Sequence, residues 1–288
     1  MSEMLEISIK HALECLSNNE IEHLNIDEDA LESWIEEAGE SFKDSLRRQL
    51  TRKKDAPRLR MSNIGRPSCQ VQMAMKGEEE VRKPYNFIVR MLLGDITESV
   101  MEVLLKIAKT DITAMKSKSE MEIANVTIKG EDDLHISNEV WDVKSCSPYA
   151  FLHKWSKGYS GLKSDDSFGY IGQLWGYAKA QGKEAGGWIT VDKSSGEIAV
   201  VRAEMDVEEK RRVEDSVTRT VSLVAEDAAF ERCFEPVEDK FGGKYTGLKR
   251  LDTACGFCDF VGKCWPEASF KPHPNSKAAK RPHYWFVE

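Results

Sequence analysis

Apolar residues recur at Ala30, Leu31, Trp34, Ile35, Ala38, Phe42 and Leu46, near helical spacing, so the pattern predicts an amphipathic helix over 27–50. Asn25 or Asp27 would cap it. A long helix is expected over 85–108, its pattern interrupted at Gly94. Residues 120–129 read as one strand, and Asp133–Ser137 and Val140–Cys146 as two more joined by a turn around Asn138. A short helix over 148–157, a Gly/Ser/Asp-rich loop over 158–167 and a helix over 169–181 follow. In that last helix Ile171, Leu174, Trp175 and Ala178 form the core stripe. Gly187–Asp192 and Glu197–Val201 read as a hairpin across Lys193–Gly196, and 206–229 as a charged helix. Residues 240–288 show little periodicity. Strands interleaved with helices imply an α/β fold, a mixed central sheet with helices packed on it.

Composition narrows this picture. The chain has 288 residues, 41% hydrophobic and 31% charged, enough for a sizeable core in one large domain or a domain with appendages. Three regions are expected: a helical, acidic-then-basic region over 1–60, a core over 61–236, and a cysteine-bearing segment and tail over 237–288. No apolar run is long enough for a membrane span, and the start, MSEMLEISIK, lacks the marks of a secretory signal, so the expected location is the cytoplasm, without membrane contact. The net charge of -8 argues against a nonspecific DNA coat, but a metal-dependent enzyme must gather carboxylates. Residues 1–42 carry twelve acids against the one base Lys10, and the acidic helix there would suit a protein partner or another subunit. Residues 43–60 carry eight bases against two acids, a block that either tracks phosphates or forms a solvated helix end.

Four short motifs carry chemistry. In Trp141-Asp142-Val143-Lys144, strand alternation puts Asp142 and Lys144 on one face and Trp141 and Val143 on the other, toward the core. A carboxylate beside an ammonium group holds a divalent cation and a water next to a phosphate, or is only an ion pair. Gly130-Glu131-Asp132-Asp133 lies just upstream, and a hairpin would bring Asp133, or else Asp132, near Asp142. Two such carboxylates suit Mg²⁺ or Mn²⁺. Gln173 and Tyr177 lie one turn apart on a stripe separate from the core residues and could contact a water, a phosphate or a nucleotide. Gly94 lies one turn before Glu98 and leaves space above that carboxylate, a candidate third ligand. Asp95, Glu98 and Glu102 would equally make a solvated acidic stripe.

Taken in order, Gly94…Glu98, Gly130…Asp133, Asp142-Val143-Lys144 and Gln173…Tyr177 resemble the motif series of the RecB-like PD-(D/E)XK nucleases. The resemblance spans about residues 60–268. It implies a restriction-endonuclease-like fold and metal-dependent hydrolysis of DNA, exonucleolytic more than site-specific, in recombination, repair or phage replication. It assigns metal binding to Glu98, Asp133, Asp142 and the Val143 carbonyl, and catalysis to Asp133, Asp142, Lys144, Glu98, Gln173 and Tyr177. Many members carry His where this chain has Glu98; Glu there resembles the phage branch that includes lambda exonuclease. The alternatives are a restriction-like endonuclease and a DNA-binding scaffold module of a larger complex. The partners implied are DNA and a second copy or a recombination or replication protein.

Seven cysteines, an odd number in a chain without a secretory signal, do not point to a disulfide framework. Cys255-x2-Cys258-x5-Cys264 supplies three thiols in one loop, and a distant fourth, Cys69, precedes the core. Four thiolates suit tetrahedral Zn²⁺ or an iron–sulfur cluster. The arrangement resembles the iron–sulfur RecB-like nucleases, including AddB-type domains and CRISPR-associated exonucleases. That resemblance implies a [4Fe–4S] cluster on Cys69, Cys255, Cys258 and Cys264. A zinc-stapled nucleic-acid adaptor is the contrasting possibility. Cys15, Cys146 and Cys233 are expected to be ordinary thiols.

Overall fold

The computed structural model describes residues 2–53, 56–279 and 281–287. Of the basic block, Lys54 and Asp55 lie outside the described residues. The fold is mixed α/β. A five-stranded sheet is built from β1 (Ile112–Met115), β4 (Leu134–Ile136), β5 (Glu139–Cys146), β6 (Glu184–Asp192) and β7 (Ile198–Arg202), in that spatial order. Neighbours are antiparallel except β5 and β6, which run parallel. A parallel pair needs a long crossover. Here it consists of α5 (Pro148–His153), α6 (Gly158–Ser164) and α7 (Tyr170–Gln181).

Helices cover both faces. On one face α7 and α8 (Val207–Ala225) enclose Ile171, Leu174, Val213 and Val217 with Val140 and Trp188 of the sheet. On the other, α1 (Ser2–Ser17) and α4 (Phe87–Ile107) bring Leu5, Ile9, Met101 and Leu105 against Trp141, Val143 and Ile189. The face bearing Asp142 is thus also core: Val140 and Cys146 on that face are buried, and Asp142 is 3% exposed. Helix α2 (Glu28–Leu50) takes Asp27 as its N-cap and lies along α4. Helix α3 (Ser68–Met75) packs on α8. Among the described residues no helix is long and apolar enough to cross a membrane.

Four expectations need correction. The single strand over 120–129 is a hairpin, β2 (Lys118–Ile123) and β3 (Val126–Glu131), because Ala124 and Asn125 both take positive φ and reverse the chain. The loop over 158–167 contains helix α6, which the buried residues Tyr159 and Leu162 hold to the core. Helix α1 was not delimited within the helical region expected over 1–60, and its Leu5, Ile9 and Ala12 are buried in the core. The aperiodic tail forms a four-stranded antiparallel sheet from β8 (Val237–Phe241), β9 (Lys244–Arg250), β10 (Ser269–Pro272) and β11 (His283–Val287). A fully buried Asp239, bonded to Thr246 Oγ1 at 2.7 Å and His273 Nε2 at 2.9 Å, takes the place of an apolar residue in it.

Glu209 fastens the crossover to α8. It accepts from the Tyr159 hydroxyl at 3.0 Å, Lys163 Nζ at 2.7 Å and Arg212 Nη2 at 2.6 Å. The Arg212 hydrogen bond, then those of Lys163 and Tyr159, lower its carboxyl to about 2 against the cost of burial. A depressed carboxylate stabilises the fold above its unfolded value and loses that contribution as pH falls through the folded one. Glu209→Gln is therefore expected to lower the melting temperature at pH 7. The difference from wild type should shrink between pH 4.5 and pH 2, measured by circular dichroism melts across that range.

Candidate active site

The β4–β5 ladder places the central carboxylates. Register pairs Leu134 with Trp141, and β4 begins there. The next inward N–H on β5, that of Val143, has no strand partner on that side and donates to Asp133 Oδ2 at 2.8 Å. The Asp133 carboxyl thereby lies within hydrogen-bonding reach of Asp142. Lys144 Nζ is 2.6 Å from each Asp142 oxygen and 3.3 Å from the Val143 carbonyl. Asp133, Asp142, Val143 and Lys144 therefore occupy one locus.

Asp132 points away from this locus. It is 1% exposed and accepts from Ser119 Oγ at 3.1 Å, and His135 Nε2 lies 3.1 Å from its other oxygen. Gln181 Nε2 adds a third contact at 3.3 Å, and Lys183 Nζ meets the other His135 nitrogen at 2.6 Å. This buried network anchors the turn from which Asp133 projects.

Helix α7 supplies the next wall. Its Asp166 cap accepts from the Tyr170 and Ile171 N–H groups at 2.8 and 2.9 Å. Tyr177 is buried, hydrogen-bonds Gln173, and lies in the field of Asp133, Asp142 and Lys144. Its ring passes over Gly130, where a Cβ would sit 2.7 Å from Tyr177 Cε1. Gly130 thus has a steric role that the Gly-x-x-Asp spacing alone did not convey. The Tyr170 ring lies 5.6 Å from Lys144 Nζ, a neighbour the sequence reading missed.

Helix α4 closes the other side. Asp95 is taken by Gln49 Nε2 at 3.1 Å and Glu102 by Lys116 at 2.7 Å, so the acidic stripe is divided among partners rather than solvated. Glu98 is left facing Asp133 and Lys144. It stands back from the aspartates: the three carboxylates do not all lie within 4.8 Å of one another.

Burial dominates the electrostatics. It pushes Asp142 up to about 7, with Lys144 opposing and Asp133 adding to the shift. Burial, then Asp133, pushes Glu98 up to about 8. Burial would lower the Lys144 ammonium, but Asp142 and then Asp133 outweigh it and hold it above its ordinary value. Burial also raises Tyr177 above the usual phenol range and Tyr170 to about 12. The groups gathered here, two aspartates with Glu98 behind them, offer hard oxygen donors that burial and mutual repulsion keep from ionising fully without a cation. The donor set fits Mg²⁺ or Mn²⁺.

A second locus gathers thiols. Cys69, Cys255, Cys258 and Cys264 line one cavity with Pro67 and Trp265, and Cys233, expected to be ordinary, lines it too. Cys233 Sγ accepts from the Cys69 N–H at 3.0 Å and lies 3.4 Å from Ser68 Oγ. Hydrogen bonding from Cys69 lowers the Cys233 thiol to about 6, while burial raises Cys255 to about 12. No regular spacing linked Cys233 to the others. Among the described residues no three of these sulfurs lie within 4.8 Å of one another. A single tetrahedral Zn²⁺, with Zn–S bonds of about 2.3 Å, would draw them to roughly 3.8 Å.

No family model matches the chain, and no curated protein matches it. Among solved structures the chain is similar to SSO0001 at 16% identity and a TM-score of 0.43, over 76% of this chain and 91% of that one.

Proposed function

We propose that the chain is a divalent-metal-dependent nuclease of the PD-(D/E)XK kind that hydrolyses phosphodiester bonds in DNA. The observation that carries this reading is the meeting of Asp133, Asp142 and Lys144 at the point where the β4–β5 ladder opens. Asp133 and Asp142, with the Val143 carbonyl, would hold Mg²⁺ or Mn²⁺, and Glu98 would add charge from α4. The bound ion would lower the pKa of a water and neutralise phosphate charge. Lys144 stays protonated in this field, so it serves as a hydrogen-bond donor and positive charge toward the phosphate or the attacking water, and not as a base. Tyr177 stays neutral and, held by Gln173, orients the nucleotide or the water. The thiol cavity, lined by Cys69, Cys255, Cys258 and Cys264, would take an iron–sulfur cluster, with Zn²⁺ as the alternative.

The decisive assay follows cleavage of end-labelled linear and covalently closed circular DNA with Mn²⁺. Linear DNA is expected to be degraded from its ends and the circle spared; cutting of the circle would make the enzyme an endonuclease. Lys144→Ala should lower kcat by about 10²-fold or more. Undiminished cleavage by Lys144→Ala, or none by the wild type, would remove the reading.

The raised carboxyls give a second prediction. In the fold Asp142 and Glu98 hold protons that the unfolded chain releases near pH 4, so between there and about pH 8 the metal-free protein loses stability as pH rises. A divalent cation binds the ionised forms and offsets that loss. The rise in melting temperature on adding Mn²⁺ should therefore be larger at pH 8.5 than at pH 6, and Asp142→Asn should largely abolish it.

For the thiol cavity, anaerobically purified protein should carry iron and absorb in the visible. Cys258→Ala should lose the iron and melt at lower temperature, because metal binding there is folding free energy.

A further inference from the structure

Helix α1 ends in a turn that gathers a different donor set. Cys15, in its last turn, is 2% exposed. The chain then reverses sharply: Asn19 takes φ 58°, and the Glu20 N–H donates to the Cys15 carbonyl at 2.8 Å. A 3-10 turn over Ile21–Leu24 follows, ended by Asn25 in the left-handed region. Leu24 is buried with Ala12 and Ile107, which pins this turn to α1 and α4.

That path folds Glu20 and His23 back over Cys15. The Cys15 sulfur, a Glu20 carboxylate oxygen and a His23 ring nitrogen all lie within 4.8 Å of one another. Among the described residues no other three Cys, His, Asp or Glu side chains close to that distance. His23 Nδ1 is 3.8 Å from Glu20 Oε2. One helical turn before Cys15, His11 places its ring nitrogens 3.8 and 3.9 Å from the Cys15 sulfur but outside the 4.8 Å set, a donor that would have to shift inward to join the three.

A thiolate, imidazole nitrogen and one carboxylate form a borderline-soft set. Such ligands select Zn²⁺ over Mg²⁺ or Ca²⁺, which require oxygen. We propose that Cys15, Glu20 and His23, with His11, form a Zn²⁺ site at the corner between α1 and α2. The site is separate from the carboxylates of β5 and from the thiol cavity. Zinc there ties the end of α1 to the segment feeding α2. Both helices pack on α4, so the ion fixes the N-terminal helices against the helix that carries Glu98.

The test titrates the full-length protein, with its thiol cavity loaded, with Co²⁺ as a spectroscopic stand-in for zinc. Wild type is expected to take up about one further equivalent in tetrahedral form, with visible d–d bands and a thiolate charge-transfer band. Cys15→Ser should lose the charge-transfer band. Because Cys15 is buried, the exposed pair carries the quantitative test: His23→Ala and Glu20→Gln, checked for native circular dichroism, should bind Co²⁺ at least about tenfold more weakly. Cys258→Ser should keep the same band. Uptake by His23→Ala equal to wild type, or a band lost in Cys258→Ser and kept in Cys15→Ser, would overturn the proposal.

Discussion

One backbone hydrogen bond organises the centre of this protein. The Val143 N–H lies just past the end of β4 and is taken by the Asp133 carboxylate in place of a strand carbonyl. An inward N–H must find a partner. Here the partner brings a charge beside Asp142, which is already buried with Lys144. The fold thus places two carboxylates and one ammonium where water is scarce. Such a buried set is a weak source of stability, since desolvation offsets the attraction between its members. The upward displacement of Asp142 and Glu98 is the electrostatic trace of that strain. A divalent cation is the ligand that would relieve it most directly.

The rest of the molecule holds that arrangement still. Asp132, neighbour to Asp133, points into a network of Ser119, His135, Gln181 and Lys183, so the turn is fixed from behind. Asp95 and Glu102 are engaged by Gln49 and Lys116, which leaves Glu98 as the carboxylate of α4 that faces the site. Gly130 makes room for the Tyr177 ring. Each support comes from an element other than the strand bearing Lys144, so the geometry is determined from several directions.

Much of this was legible in the residue pattern, and the omissions have physical causes. Helices α2 and α7 followed from apolar periods, α4 from a pattern interrupted at Gly94, and strands β4 and β5 from two short runs joined by a turn around Asn138. The carboxylates and Lys144 followed from alternation along β5 and a turn beside it. The β2–β3 reversal was missed because Ala124-Asn125 lacks the glycine that usually marks such a turn. The tail sheet was missed because Asp239 and His273 are buried polar residues, and no hydrophobic period reports a polar core. Cys233 stands alone in sequence, and only the packing of α3 against the end of α8 brings it to Cys69. Tyr170 fell outside the Gln173…Tyr177 stripe, yet it faces Lys144.

The two loci are also mechanically joined. Cys69 follows a segment whose Gly65 lies directly on the start of α7. A Cβ at Gly65 would come within 2.2 Å of the Gly169 carbonyl oxygen, and one at Gly172 within 2.5 Å of Gly65 Cα. Backbones this close leave no space to absorb a shift, because a packed interior transmits displacement. Helix α7 carries Tyr170, Gln173 and Tyr177. A displacement of the segment that leads to Cys69 would therefore reach the helix that walls the carboxylates. A group bound among the thiols would influence the site through the placement of α7, without electron transfer being required.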